Sequence, residues 1–250
     1  MIYKTNYTFI MSDKLPEGSS GDYSIVKGTL EKGNLLRTYS PFGSFYIDKL
    51  GSSMPVVKLL KNGDAVMSDT PMEQEGLRIP SFIARGDILI IGLGIGLLPT
   101  LIRMRNQTVK SMLIVEENED VVKLVYPFIK NRRTDLRVCD GEKYLMACKD
   151  KFDFIFIDVW SAITTTIKEI DKWTELAKPL LNEKGEVKCW LQELYDRIKN
   201  KLPKEPIELT GLSAVREPCL ICGKKLRNDY AGLCCDCADY MEVSELFMRR

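Results

Sequence analysis

Residues 88–102 read ILIIGLGIGLLPTLI, an aliphatic run that ends in three glycines at alternate positions, Gly92, Gly94 and Gly96, and passes directly into a helix-period segment. A strand that stops at glycines ahead of a helix brings bare backbone and helix N–H groups up to a ligand. The spacing narrows the choice of ligand. A dinucleotide fingerprint has its third glycine one position later, where this chain has Leu97, so the loop suits a nucleoside that lacks a pyrophosphate. Pro99 falls in the first turn of the helix that follows, where its missing N–H costs nothing.

Outward from this stretch, short aliphatic runs alternate with longer helix-period segments, the mark of a mainly parallel, Rossmann-like α/β sheet. The expected strands are DILIIG, SMLIVEE, LRVCD, KFDFIFIDV and GEVKCW, and the expected helices span 96–105, 119–130, 142–149 and 165–181. Three further strand ends carry acids. Glu116 closes the strand after the glycine loop, where a carboxylate can accept both ribose hydroxyls. Asp140 closes the next, placed to take an adenine amino group while Gly141 lets the chain turn. Asp158 closes the fourth, at the carboxyl edge where open α/β sheets bind ligands. The glycine loop, Glu116, Asp140 and Asp158 are therefore expected to share one crevice.

Residues 1–82 have a different texture, with short strand-like runs and turn residues, and Asn62-Gly63 between two apolar runs is a hairpin signal. The acidic run SDTPMEQE, residues 68–75, reads as an exposed turn and helix start. The chain of 250 residues is 45% hydrophobic, enough for one sizeable core with a small appendage, and its formal charge of +1 provides no overall field for nucleic acid. No stretch approaches the ~20 apolar residues of a membrane span, and no basic, apolar leader opens the chain, so a cytoplasmic protein is expected. The chain has no histidine, which removes the usual neutral-pH acid/base from any mechanism.

From about residue 206 the texture changes again, into Cys219-Leu-Ile-Cys222 followed by Cys234-Cys-Asp-Cys237. Two such knuckles can wrap one tetrahedral zinc through Cys219, Cys222, Cys237 and either Cys234 or Cys235. This segment resembles zinc ribbons. A zinc staple for a module too small to bury its own core is the expectation, and docking of a protein or nucleic-acid partner is the other. Cys139, Cys148 and Cys189 read as small buried apolar residues. The expected organisation is thus a β-rich segment at 1–82, a nucleoside-binding domain at 83–205 and a zinc module at 206–250.

The ordered set of GLGIG, Glu116, Asp140 and Asp158 resembles the class I S-adenosylmethionine-dependent methyltransferases over residues 84 to about 190. FDFIFIDVW and IVEENEDVVKL resemble the corresponding strand and turn of the spermidine synthase-like branch. The resemblance implies S-adenosylmethionine as cofactor, with Glu116 and Asp140 as ribose and adenine contacts. It also implies Asp158 as the residue that orients or deprotonates an acceptor, or else one that bonds only backbone N–H groups. Trp160 beside it either forms an apolar wall or packs on the next helix. The chain departs from that branch in two places: Ile95 stands where the aminopropyltransferases have an acid, and Val159-Trp160-Ser161-Ala162 replaces their second acid. The acidic run 68–75 is either a stand-in for part of that branch's amine-binding lid or, as the preferred reading, the exposed turn and helix start given above. Methyl transfer to an unidentified acceptor is therefore expected ahead of aminopropyl transfer from decarboxylated S-adenosylmethionine. A non-catalytic nucleoside-binding protein stands as the reading from a different class. The partners implied are a nucleoside ligand and an unknown acceptor, with a homodimer allowed.

Overall fold

The computed structural model describes residues 10–39, 45–105, 108–160 and 163–200. The chain first runs α1 (Ile10–Lys14), β1 (Gly18–Ser20), β2 (Tyr23–Leu30), β3 (Leu35–Tyr39), β4 (Phe45–Lys49), β5 (Met54–Lys61), β6 (Asp64–Ser68), α2 (Pro71–Gly76) and α3 (Arg78–Ile83). It continues as β7 (Gly86–Ile91), α4 (Leu97–Arg105), β8 (Val109–Glu116), α5 (Glu119–Ile129), β9 (Thr134–Val138), α6 (Gly141–Ala147), β10 (Phe152–Ile157) and α7 (Ile163–Ala177). A 3₁₀ turn (Lys178–Leu180), β11 (Leu181–Cys189) and α8 (Gln192–Lys199) follow. The proposed zinc ligands Cys219, Cys222, Cys234, Cys235 and Cys237 lie outside the described residues.

Five strands form one parallel sheet in the order β11-β10-β7-β8-β9. Two of the three inner strands, β7 and β10, are the sequence's continuous apolar runs, GDILII and FDFIFI, each with its last four residues buried. Strands covered by helices on both faces need such runs, whereas β9 at the edge alternates and is largely exposed. Taken in chain order the sheet reads third, second, first, fourth, fifth, so its topological switch point lies between β7 and β10. This is the Rossmann-like α/β sheet that the alternation of runs predicts.

The amino-terminal segment supplies an antiparallel sheet, β1-β2-β5-β6, and a separate pair, β3-β4. Asn62 and Gly63 turn the β5-β6 hairpin with φ of +52° and +90°, the positive values that a two-residue hairpin of this hand requires. One continuous core joins both parts: Met11, Leu15, Ile25, Val57 and Leu59 pack with the residues of β7, β8 and β10. The Ser20 hydroxyl also donates to Asp120 of α5 at 2.6 Å. Among the described residues, no helix is long and apolar enough to cross a membrane.

Candidate functional site

The carboxyl ends of the parallel strands open into a crevice of about 1000 Å³. Gly92, Gly94, Glu116, Asp140, Gly141 and Asp158 all line it. Gly96 belongs to the same loop, but a side chain there would point at Val125 and Ile129 of α5 instead of into the crevice. Gly92 has φ of +98°, and a Cβ on it would stand 2.0 Å from the Asp158 carbonyl oxygen. Only glycine lets the loop pass so close to the end of β10. The reason for Gly141 differs from the expected one: it has no positive φ, and a Cβ there would meet Ile91 at 2.4 Å, so close packing and not a turn demands it.

Glu116, the last residue of β8, is held by the backbone around it. Its two oxygens each accept one backbone N–H, from Leu93 and from Asn118, both at 2.9 Å, which fixes the carboxylate and leaves acceptor capacity on each oxygen. Burial raises its pKa above the ordinary value, and the two N–H bonds oppose that. Asp140 caps α6, with Oδ1 accepting the Lys143 N–H at 2.8 Å, so one oxygen is committed to the helix.

Asp158 sits at the switch point, and burial lifts its carboxyl to about 7. A second acid, Glu73 of α2, reaches the same crevice from the amino-terminal segment. Burial and the nearby Asp158 charge raise Glu73 to about 8, while the polar group of Trp190 beside it acts in the opposite direction. The run 68–75 is thus a helix start, as expected, but not an exposed one. Asp69 is fully buried, accepts the Val57 N–H at 2.8 Å and the Ser12 hydroxyl at 3.3 Å, and receives the Gln74 amide on its carbonyl at 2.7 Å. These bonds tie down the turn between β6 and α2 and so hold Glu73 over the crevice.

All three tryptophans of the chain stand around the acids. Trp160 and Trp173 meet edge to face at 6.0 Å, and both indole N–H groups donate to Glu169 of α7, at 2.8 and 3.3 Å. Trp160 therefore both walls the crevice and is fixed to the following helix. Tyr23, Lys58, Lys61, Met67 and Met72 complete the wall from the amino-terminal segment. Among the described residues, no group of three or more acids or cysteines is placed to hold a metal. Glu73, Trp190 and Met67 are site residues that strand-end reasoning does not find. The one available signal for Glu73 was an acidic run beside a proline.

No protein-family model matches the chain, and no curated protein matches it in sequence. Among solved structures, spermidine synthase from Thermotoga maritima is similar at 18% identity and a TM-score of 0.46, over 76% of this chain and 64% of that one. This chain thus spans less than two thirds of that enzyme's length. A spermidine synthase in complex with the transition-state analogue AdoDATO is similar at 16% identity and a TM-score of 0.43, over 68% and 71% of the two chains. An SAH-bound methyltransferase from Podospora anserina is similar at 16% identity and a TM-score of 0.39, over 48% and 52%.

Proposed function

We propose that this chain is a transferase that binds S-adenosylmethionine in the crevice and alkylates an amine, with methyl transfer as the leading reading. The carrying observation is the pair Glu73 and Asp158, two carboxyls that share an aromatic-walled space beside the glycine loop and Glu116. The residues fit the cofactor: Glu116 offers two fixed oxygens to a ribose diol, Asp140 and Gly141 border the place for the base, and the bare backbone at Gly94 admits a close ligand once the Met67 side chain that covers it moves aside. When bound, the sulfonium supplies an activated alkyl carbon with a neutral thioether as leaving group.

The chain's own task is then to hold, orient and deprotonate the acceptor. A cationic amine is attracted by the acid pair and by the faces of the indoles. Asp158 is suited to take the proton that frees the nitrogen's lone pair, because a base with a pKa near 7 is half ionised at neutral pH and can still accept a proton. The apolar indole surfaces of Trp160, Trp173 and Trp190 in the crevice lining lower the local polarity, which strengthens both interactions.

A second reading, aminopropyl transfer from decarboxylated S-adenosylmethionine, is favoured by one specific observation. The sequence lacks a second acid after Asp158, and Glu73 supplies one from another element. The test is a donor and acceptor matrix with product analysis. S-adenosylhomocysteine formed with amines but not with alcohols is expected. Methylthioadenosine formed from the decarboxylated donor and putrescine or spermidine would replace methyl transfer by the second reading. Retained nucleoside binding with neither product would make the chain a binding protein. The carboxyl-terminal cysteines add one structural zinc to the proposal on their spacing alone.

A further inference from the structure

The glycine loop presents few uncommitted donors to the crevice. The Gly92 N–H lies 2.8 Å from the Val115 carbonyl, that of Leu93 2.9 Å from Glu116, and that of Gly96 2.9 Å from the Leu93 carbonyl. The Ile95 N–H, which faces the antiparallel sheet, is 3.3 Å from the sulfur of Met67. Met67 belongs to β6, and its sulfur lies so close over Gly94 that a Cβ on that glycine would be 2.0 Å away. A thioether is a weak acceptor carried on a flexible, unbranched side chain. It satisfies the Ile95 N–H while nothing better is present, and a stronger acceptor can displace it.

Strand order fixes which part of a ligand would meet this sulfur. Asp140 follows β9 and Glu116 ends β8 on one side of β7, and Asp158 follows β10 on the other. A nucleoside with its base at Asp140 and its ribose on Glu116 therefore directs its 5′ substituent across Gly94, beneath Met67, towards Asp158. Resting on the proposal that the crevice holds an adenosyl donor, we infer that Met67 is a nucleoside-selecting residue, which discriminates by the presence of the tail on the 5′ sulfur. Its side chain occupies the place of the donor's amino-acid tail on the glycine loop, so a nucleoside that carries the tail must displace it and a tail-less nucleoside need not. Met67 touches no reacting atom in this scheme. It sets which nucleosides stay bound.

Titration calorimetry on the full chain with S-adenosylhomocysteine and with methylthioadenosine tests this, because the first carries a carboxylate-bearing tail and the second only a methyl group. Met67→Ala opens the place and frees the Ile95 N–H for the ligand carboxylate. It should tighten S-adenosylhomocysteine by roughly tenfold, because the tail no longer has to break the Ile95 N–H bond to sulfur and move the Met67 side chain aside, and change methylthioadenosine by less than about twofold. Met67→Val, which shortens the side chain but keeps a residue suited to a strand, should move the ratio in the same direction and secures the result if the alanine variant folds poorly. An unchanged ratio of the two affinities, or weaker S-adenosylhomocysteine binding in both variants, would overturn the role of Met67 and leave the nucleoside site standing. Binding of neither nucleoside by the wild type or the variants would overturn the reading of the crevice, and this inference with it.

Discussion

Asp158 and Glu73 have ordinary values of 3.8 and 4.5 and are raised by burial to about 7 and about 8, Glu73 also by the charge of Asp158. Since the folded values lie above the unfolded ones, the stability linked to this pair is fully present below about pH 4 and is lost as pH rises through 7 to 8. Thermal denaturation of the ligand-free chain should therefore show a melting temperature that falls over that window, and Asp158→Asn with Glu73→Gln should flatten the fall; an equal fall in the double variant would remove these groups as its source. A cation has the opposite effect, because it stabilises the ionised pair. Amine binding at pH 7 should release protons, visible as a binding enthalpy that varies with the buffer's ionisation enthalpy. Asp158→Asn should lower kcat by about a hundredfold or more if the carboxylate acts as the base. For Glu116 the expected loss is in affinity: Glu116→Ala should weaken nucleoside binding by about 2 to 3 kcal/mol, with Glu116→Gln intermediate because it keeps one acceptor oxygen. Unchanged affinity in a folded Glu116→Ala chain would remove the ribose assignment.

The elements that sequence patterning makes legible are those that the core buries on both sides. GDILII and FDFIFI are strands because a continuous apolar run bounded by glycine or charge has one place in an α/β sheet, the centre. The last strand is read less well: GEVKCW accounts for its end, but β11 begins at Leu181, and its polar start is held by tertiary bonds that no local pattern announces. The Asn182 amide donates to Asp153 at 2.8 Å, and Arg85 donates to the Lys184 carbonyl at 3.1 Å. α2 and α3 are six residues each and too short for a helical period to register, so Glu73 could not be aimed at Asp158 from sequence. The glycine loop offers a test of the close approach that builds the site. Gly92 and Gly63 have nearly equal φ, +98° and +90°, but a Cβ at Gly63 meets nothing within 4 Å, whereas at Gly92 it meets backbone at 2.0 Å. Gly63→Ala should cost about 1 to 2 kcal/mol for the backbone alone. Gly92→Ala should exceed it by at least about 2 kcal/mol, since backbone cannot yield as a side-chain end can. Equal losses in urea denaturation would mean that the loop is not locked against β10.

At the scale of the whole molecule, the crevice is built by joining two sheets that the sequence separates by composition. Strand-end acids identify one wall, and the other, with Met67, Glu73 and Lys61, emerges only from the three-dimensional packing. The carboxyl-terminal cysteines are the reverse case, legible from spacing and lying outside the described residues. A segment as short as the one that holds the two knuckles, residues 217–240, is too small to be stabilised by burial alone, and four thiolates on one divalent ion would supply what burial does not. Lys224, Lys225 and Arg227 lie close enough in sequence to offset the site's negative charge. Elemental analysis of protein purified without added metal should find one zinc per chain, and Cys219→Ser with Cys222→Ser should abolish it. Less than about half an equivalent, with those thiols free to titrate in the native chain, would remove the four-thiolate site. The strand-end residues Gly92, Glu116, Asp140 and Asp158 precede the first knuckle at Cys219 by more than 60 residues of sequence. Stripping the zinc should therefore leave the affinity for S-adenosylhomocysteine unchanged. A loss of affinity on chelation, restored by adding zinc back, would keep the metal and refute its independence, because the cysteine segment would then form part of the crevice it follows.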